Sequence, residues 1–281
     1  MKRRIFIITI IALAFFSCEE ISPVVTGKMG NQGPVPPENQ QRQVLVEEFT
    51  GVQCVNCPNG SIIIEGLLAQ HGQQLVAISI HAGQFSPPYS QSAYDFRTPD
   101  GNNLLNYLGA PFGYPSAVVN RKLFDNQFGL QVGQNEWAGY IAQELTLPPQ
   151  VLIDINPTFN NATREGEIDV ILFVKETISD PDVRLSIIFT ESNIVDHQLT
   201  PTSSPNTDPD YKHKHVFRGM ATPFDGSPIT EPLVEGSQIS KSFSYSLPDD
   251  WNESEVSVVV IVSHSGQRKD VIQAHQEHLI E

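Results

Sequence analysis

Val44-Leu45-Val46-Glu47-Glu48-Phe49-Thr50-Gly51-Val52-Gln53-Cys54-Val55-Asn56-Cys57-Pro58 is the stretch whose reading decides the fold. Residues 44–49 form a mostly apolar run of strand length, and Thr50-Gly51-Val52-Gln53 reads as a turn. Proline is tolerated in a first helical turn, so Pro58 marks a helix start. Ile62, Ile63, Leu67 and Leu68 recur near helical spacing through Gln70, and Gly72 stops the run. Residues 75–80 read as a second strand ending at His81. A strand, a crossover helix and a strand predict a parallel pair with a right-handed connection.

Cys54 and Cys57 therefore sit between a strand and a helix, with two residues between them. That spacing lets the sulfurs meet within one helical turn. The helix start offers unpaired N–H groups and a positive dipole end, which stabilise a thiolate. Such a pair supports thiol–disulfide exchange, in which the first thiolate attacks and the second resolves the mixed disulfide. The same pair also serves as a plain structural bond that staples a helix to its turn. A closed zinc site needs two further ligands that the motif lacks, so no metal and no cofactor are expected.

Moving outward, 83–103 is a long Pro- and Ser-containing stretch with Phe85, Tyr89, Tyr94 and Phe96. A short helix is expected at 104–108, a strand at 116–120 after Gly113-Tyr114-Pro115, and a closing helix carrying Trp137, Tyr140, Ile141 and Leu145. Pro148 and Pro149 mark a boundary, beyond which the pattern becomes alternating. Strands are expected at 151–155, 166–174, 183–189, 237–247, 255–262 and 271–274, with an excursion across 191–236. Strands without long intervening helices predict an all-β immunoglobulin-like sandwich. The expected layout is a signal at 1–17, a lipidated cysteine and flexible linker at 18–43, an α/β domain at 44–147 and the sandwich at 148–281.

At the other end, Lys2, Arg3 and Arg4 precede an apolar run of about 12 residues, which reads as an export signal too short to span the roughly 30 Å of hydrocarbon. Leu13-Ala14-Phe15-Phe16-Ser17-Cys18 resembles a loose bacterial lipobox, which implies acylation of Cys18 and membrane contact through N-terminal lipid. Phe15 and Phe16 depart from the strict pattern. Glu19-Glu20 resembles a surface-export signal, and equally suits a solvated linker start. The formal net charge is −15, and removing the first 17 residues, with three basic and no acidic side chains, takes it to −18. Such a chain is not drawn to nucleic acid or anionic lipid by charge.

Residues 44–49, the pair Cys54/Cys57 with Pro58, and the later Tyr114-Pro115-Ser116 fall in an order that resembles the thioredoxin superfamily. The resemblance implies an α/β thioredoxin-like domain. It matches Pro115 to the cis-proline beside the cysteine pair, and Glu48 to the buried acid that moves protons to and from the resolving thiol. Gln53 stands where thioredoxins place Trp, and Val55-Asn56 replaces the usual intervening pairs. A closer resemblance is to a family of Bacteroidota lipoproteins named after a twenty-eight-kilodalton outer-membrane protein. It is carried by Glu47-Glu48-Phe49-Thr50-Gly51, Cys54-Val55-Asn56-Cys57-Pro58-Asn59-Gly60, Tyr114-Pro115-Ser116 and His213-Lys214-His215-Val216-Phe217-Arg218. It implies a lipid-anchored outer-membrane protein, with the membrane face open. Its partners would be envelope protein thiols or disulfides if the pair is redox-active. The alternative is a surface binding or structural lipoprotein.

His213 and His215, two apart, would share a strand face and await a third ligand to bind metal. His81 ends a strand where it either tunes the thiols or is an ordinary strand-end histidine. Asp180-Pro181-Asp182 reads as a solvated turn rather than a calcium loop. His275 and His278 carry no discernible chemistry.

Overall fold

Seven consecutive residues without a solvent-facing side chain form the first strand. In the computed structural model, which describes residues 34–280, β1 (Val44–Thr50) is buried throughout, as befits a strand covered on both faces. The expected export signal, Cys18 and the expected linker as far as residue 33 lie outside the described residues. α1 (Cys57–His71) leads through a short 3₁₀ turn to β2 (Leu75–His81), which is buried throughout like β1. The two strands pair in parallel from Val44 opposite Leu75 to Thr50 opposite His81, as expected.

α2 (Pro99–Leu108) starts one turn earlier than its apolar residues suggest, because the Thr98 hydroxyl caps it by accepting from Gly101 N. β3 (Ser116–Val119) and β4 (Gln131–Gly133) continue the sheet antiparallel. α3 (Trp137–Glu144) closes this half, burying Trp137 and Ile141 with Val44, Val46 and Ile64.

The remaining strands are β5 (Val151–Asn160), β6 (Glu165–Val174), β7 (Val183–Glu191), β8 (Ile194–Leu199), β9 (Thr207–His213), β10 (Val216–Met220), β11 (Ser227–Pro228), β12 (Gln238–Ser246), β13 (Val256–His264) and β14 (Val271–His278). β5, β6 and β12 pack on β7 and β13 around a core of residues from Val151 onward, but β7 and β13 belong to a larger sheet shared with the first half. The large sheet runs β14-β13-β7-β10-β2-β1-β3-β4, with β11 on β7, and β10 joins the two halves beside β2. The Ser79 N–H donates to His215 O at 2.8 Å at that seam. β12-β6-β5 form a second, three-stranded sheet, and β8-β9 a hairpin.

The physical reason lies in β7 and β13, which are apolar on both faces. Ile187, Phe189, Val258 and Val260 pack with β5 and β6 residues. Their alternates Ile188, Val259 and Ile261 pack with Leu45, Phe49, Ile78 and Leu104. A strand buried on both sides belongs in a middle layer, so the division expected at 147/148 falls inside one continuous sheet. Residues from Pro36 onward form one compact unit.

The linker also ends earlier than expected. Gln40 spends its side-chain amide on β5, accepting from Ile153 N at 2.7 Å and donating to Ile153 O at 2.8 Å. Buried Arg42 donates to Glu144 and to Val271 O, and Gln43 N–H donates to Gln273. These polar side chains give no apolar signal, yet they hold the chain in place before Val44.

Candidate functional site

The turn after β1 delivers both cysteines to the start of α1. Cys54 N–H donates to Gly51 O at 3.0 Å and Cys57 N–H to Cys54 O at 3.2 Å, and the two are joined as a disulfide. Gly51 is needed here: a Cβ would lie 2.3 Å from Phe85 O. Phe85 O in turn accepts from Gln53 N at 2.9 Å. The long 83–103 stretch thus braces the cysteine turn from one side.

Pro115 and Glu48 approach α1 at Gly60. The Tyr114–Pro115 bond is cis. A Cβ on Gly60 would lie 2.6 Å from Glu48 Oε1 and 2.9 Å from the Pro115 ring. The structure therefore gathers Cys54, Cys57, Glu48 and Pro115 around one helix start. Glu48 is fully buried, and burial pushes its carboxyl up to about 8, against a smaller lowering by the hydrogen bond from Ser79. Ser79 Oγ donates to Glu48 Oε2 at 3.1 Å, while Oε1 has no partner among the described residues. The neighbouring Glu47 is equally buried but paired: Arg121 donates to it at 2.9 and 2.6 Å.

The β8–β9 hairpin, unforeseen in the sequence, covers the disulfide. Leu199 N–H donates to Val52 O at 2.8 Å. Gln198 Nε2 donates to Cys54 O at 3.1 Å and to Gly51 O at 3.3 Å. Under this cover Cys54 is 4% exposed and Cys57 1%.

Two cavities flank the helix start. One, of about 390 Å³, lies between Asn56, Asn59, Tyr114, Pro115 and Gln131, with Phe112 on its rim. The other, of about 410 Å³, lies between α1 and the β9–β10 connection; Glu48, Cys57, Ser79, His81, Tyr211 and His213 are among its lining. His81 and His213 meet at 5.6 Å between ring centres, with Phe96 4.8 Å from the first and 4.7 Å from the second. Burial drives both imidazoles down, His213 to about 4 and His81 well below its usual value, so both are neutral at pH 7.

His213 and His215 both line the second cavity but do not lie on one strand. β9 ends at His213, and the chain turns through a left-handed His215 (φ 52°), whose Nε2 sits 2.9 Å from Glu65 Oε1. Lys214 pairs with the same carboxylate. Together they hold Glu65 down at about 2, the His215 hydrogen bond contributing most. No group of three or more metal-ligating side chains occurs among the described residues. Asp182 and Asp180 pair with Arg184 and His264, and His275 contacts Gln43 and Glu277.

A family model described as "Outer membrane protein Omp28" matches residues 103–281. The fold is similar to that of HBP35 of Porphyromonas gingivalis, with a TM-score of 0.66, 17% identity, and 85% of this chain and 76% of that chain covered. It is also similar to a structural-genomics protein of Agrobacterium tumefaciens, with a TM-score of 0.51, 12% identity, and 86% and 96% covered. A domain of the outer membrane lipoprotein Omp28 from Porphyromonas gingivalis aligns at a TM-score of 0.29 and 14% identity, over 45% of this chain and 85% of that chain. No curated protein matches.

Proposed function

The chain belongs to the Omp28 family of outer membrane proteins, and from that premise we propose that it is held in the outer membrane by lipid on Cys18 and exchanges thiols and disulfides on envelope proteins through Cys54 and Cys57. The observation that carries the exchange reading is the packing of buried Glu48 and the Pro115 ring against Gly60, at the helix start that bears the cysteine pair. In the reduced protein the Cys54 thiolate attacks a substrate disulfide. One substrate sulfur leaves as a thiolate, and the other stays bonded to Cys54. The Cys57 thiol then loses its proton to ionised Glu48, the minor form of that carboxyl below about pH 8, and attacks the Cys54 sulfur, which expels the second substrate thiolate and forms the Cys54–Cys57 bond. A partner dithiol returns the two electrons and is itself oxidised. Run backwards, the same steps oxidise a substrate dithiol.

Purified Cys54→Ser protein is expected to lose disulfide reductase activity; unchanged turnover overturns the reading. The anchor is tested by fractionation, with Cys18→Ser moving the protein out of the membrane pellet and retention counting against lipid at that residue.

The near-complete burial of both cysteines beneath Gln198 favours a second reading, in which the bond is structural and the protein is a non-catalytic binding or structural lipoprotein. The reduction potential separates the two: a structural bond lies below about −300 mV, and an exchanging pair lies higher.

A further inference from the structure

The two ends of the Cys54–Cys57 bond have different surroundings. Cys57 lines the cavity of about 410 Å³ between α1 and the β9–β10 connection, and Cys54 does not. Cys54 lies under the hairpin instead, its carbonyl accepting from Gln198 and from Cys57 N–H. Disulfide exchange is attack by a thiolate on one sulfur, in line with the bond and from the side away from the leaving sulfur. A cavity that touches Cys57 alone meets the bond from its Cys57 end, where such an approach begins. Glu48 lines the same cavity, and burial keeps its carboxyl protonated below about pH 8. The space lies within the usual range of roughly 300–1,000 Å³ for small-molecule sites. Charge along its wall is uneven. Lys214 pairs with Glu65, while exposed Lys212 makes no ion pair among the described residues. Both lysines line the cavity, so the Lys212 charge is left uncompensated.

We propose that a small anionic thiol, one carrying a carboxylate or sulfonate, enters this cavity and reduces the bond by attack on Cys57. The proposal rests on the exchange reading of the pair and names a reductant for it. The incoming thiolate bonds to the Cys57 sulfur, the Cys54–Cys57 bond breaks, and Cys54 leaves as a thiolate. It leaves close to the start of α1, where unpaired N–H groups favour negative charge. A second thiolate attacks the sulfur of the first and forms the small disulfide. Cys57 then leaves as a thiolate and takes the Glu48 proton, which solvent replaces. Two small thiolates lose two electrons in all, and the protein disulfide gains them. Gln198 and Tyr211 of the hairpin also line the cavity. An uncharged thiol, which Lys212 does not attract, therefore depends more on movement of that cover.

The test compares 3-mercaptopropionate and cysteamine as reductants of the oxidised full chain, at pH 7 and low ionic strength. Each rate is divided by the same thiol's rate on a small neutral disulfide, which removes differences in thiolate fraction and nucleophilicity. The net charge of −15 by itself repels the anion and attracts the cation, so a preference for the anion reports the wall of this cavity. 3-Mercaptopropionate is expected to be faster by about tenfold, and Lys212→Gln should remove most of the difference. No preference for the anion, or a preference untouched in Lys212→Gln, overturns the proposal. The attacked sulfur is read from single-thiol chains exposed to 3,3′-dithiodipropionate, the second step run backwards. Cys54→Ser, which keeps Cys57, should gain the mass of one mercaptopropionate group faster than Cys57→Ser, which keeps Cys54. Equal rates or the opposite order overturn the proposal. The comparison on the parent chain needs no cysteine variant and decides the case if either fails to fold. Turnover of protein disulfides without the charge preference keeps the exchange reading and overturns this route; the charge preference without turnover does the reverse.

Discussion

Glu48 is the residue where chemistry and stability meet. Its carboxyl is fully buried, and it titrates near 8 in the folded protein against an ordinary value of 4.5, chiefly through desolvation. Between those two values the folded state holds a proton that the unfolded state has released. Stability therefore falls as pH rises from about 5 to about 8, by at most ~1.4 kcal/mol per unit, and levels off above. Glu48→Gln removes this slope while keeping shape and hydrogen-bonding capacity. Urea midpoints of the oxidised protein, measured at intervals from pH 5 to 8, should fall less steeply in Glu48→Gln than in the parent. Parallel curves would mean that Glu48 already carries its charge at pH 5 in the fold. Glu47, one residue earlier, shows why burial alone does not make a proton-transfer group. It is just as inaccessible, but bidentate Arg121 satisfies both its oxygens, and parting such a pair leaves an uncompensated charge in the interior.

The elements that carry the cysteine pair were legible because each is locally self-consistent. Residues 75–80 are an apolar run broken only by Ser79 and become β2 (Leu75–His81); Pro58 opens α1 (Cys57–His71); Tyr114-Pro115 leads into β3 (Ser116–Val119). The hairpin over the pair was not legible. β9 reads Thr-Asp-Pro-Asp-Tyr-Lys-His, a composition depleted in strand formers and interrupted by proline. Its pairing comes from β8, and its place over Cys54 comes from side chains such as Gln198 that carry no local signal. Ser79, a polar residue within an all-buried strand, was the one hint that something on that face needed a hydroxyl. The hairpin's role in shielding can be measured. Gln198→Ala removes the side-chain donor from the Gly51 and Cys54 carbonyls, each of which keeps a main-chain donor, at a cost of about 0.5–1.5 kcal/mol, and loosens the cover. Reduction of the disulfide by dithiothreitol under native conditions should then be faster by up to roughly tenfold. An unchanged rate would show that the hairpin does not control access to the sulfurs.

At the scale of the whole molecule, the two halves share interior rather than surface. Leu45, Phe49, Ile78 and Ile80 lie in one cluster with Ile188, Phe217, Val259 and Ile261, so the first half is not a finished domain without the second. The change of pattern at Pro148 and Pro149, from helix-spaced to alternating, was visible. What the pattern did not carry is where the later strands go. Alternation specifies a strand with two distinct faces but not its neighbour, and β7 and β13 have apolar residues to satisfy on both. The consequence is cooperative unfolding, and the two tryptophans can report it. Trp137 is buried in the cluster under α1 and α3, and Trp251 packs against the cluster between the two sheets. Trp137→Phe leaves a probe in the second half, and Trp251→Phe leaves one in the first. In each variant the fluorescence transition in urea should coincide with the loss of circular dichroism, because breaking the shared core removes support from both halves at once. Independent domains divided at 148 would instead part the two signals, with the less stable half melting first. A fluorescence midpoint displaced from the dichroism midpoint in either variant would therefore mean that the β10–β2 seam is a contact between finished domains.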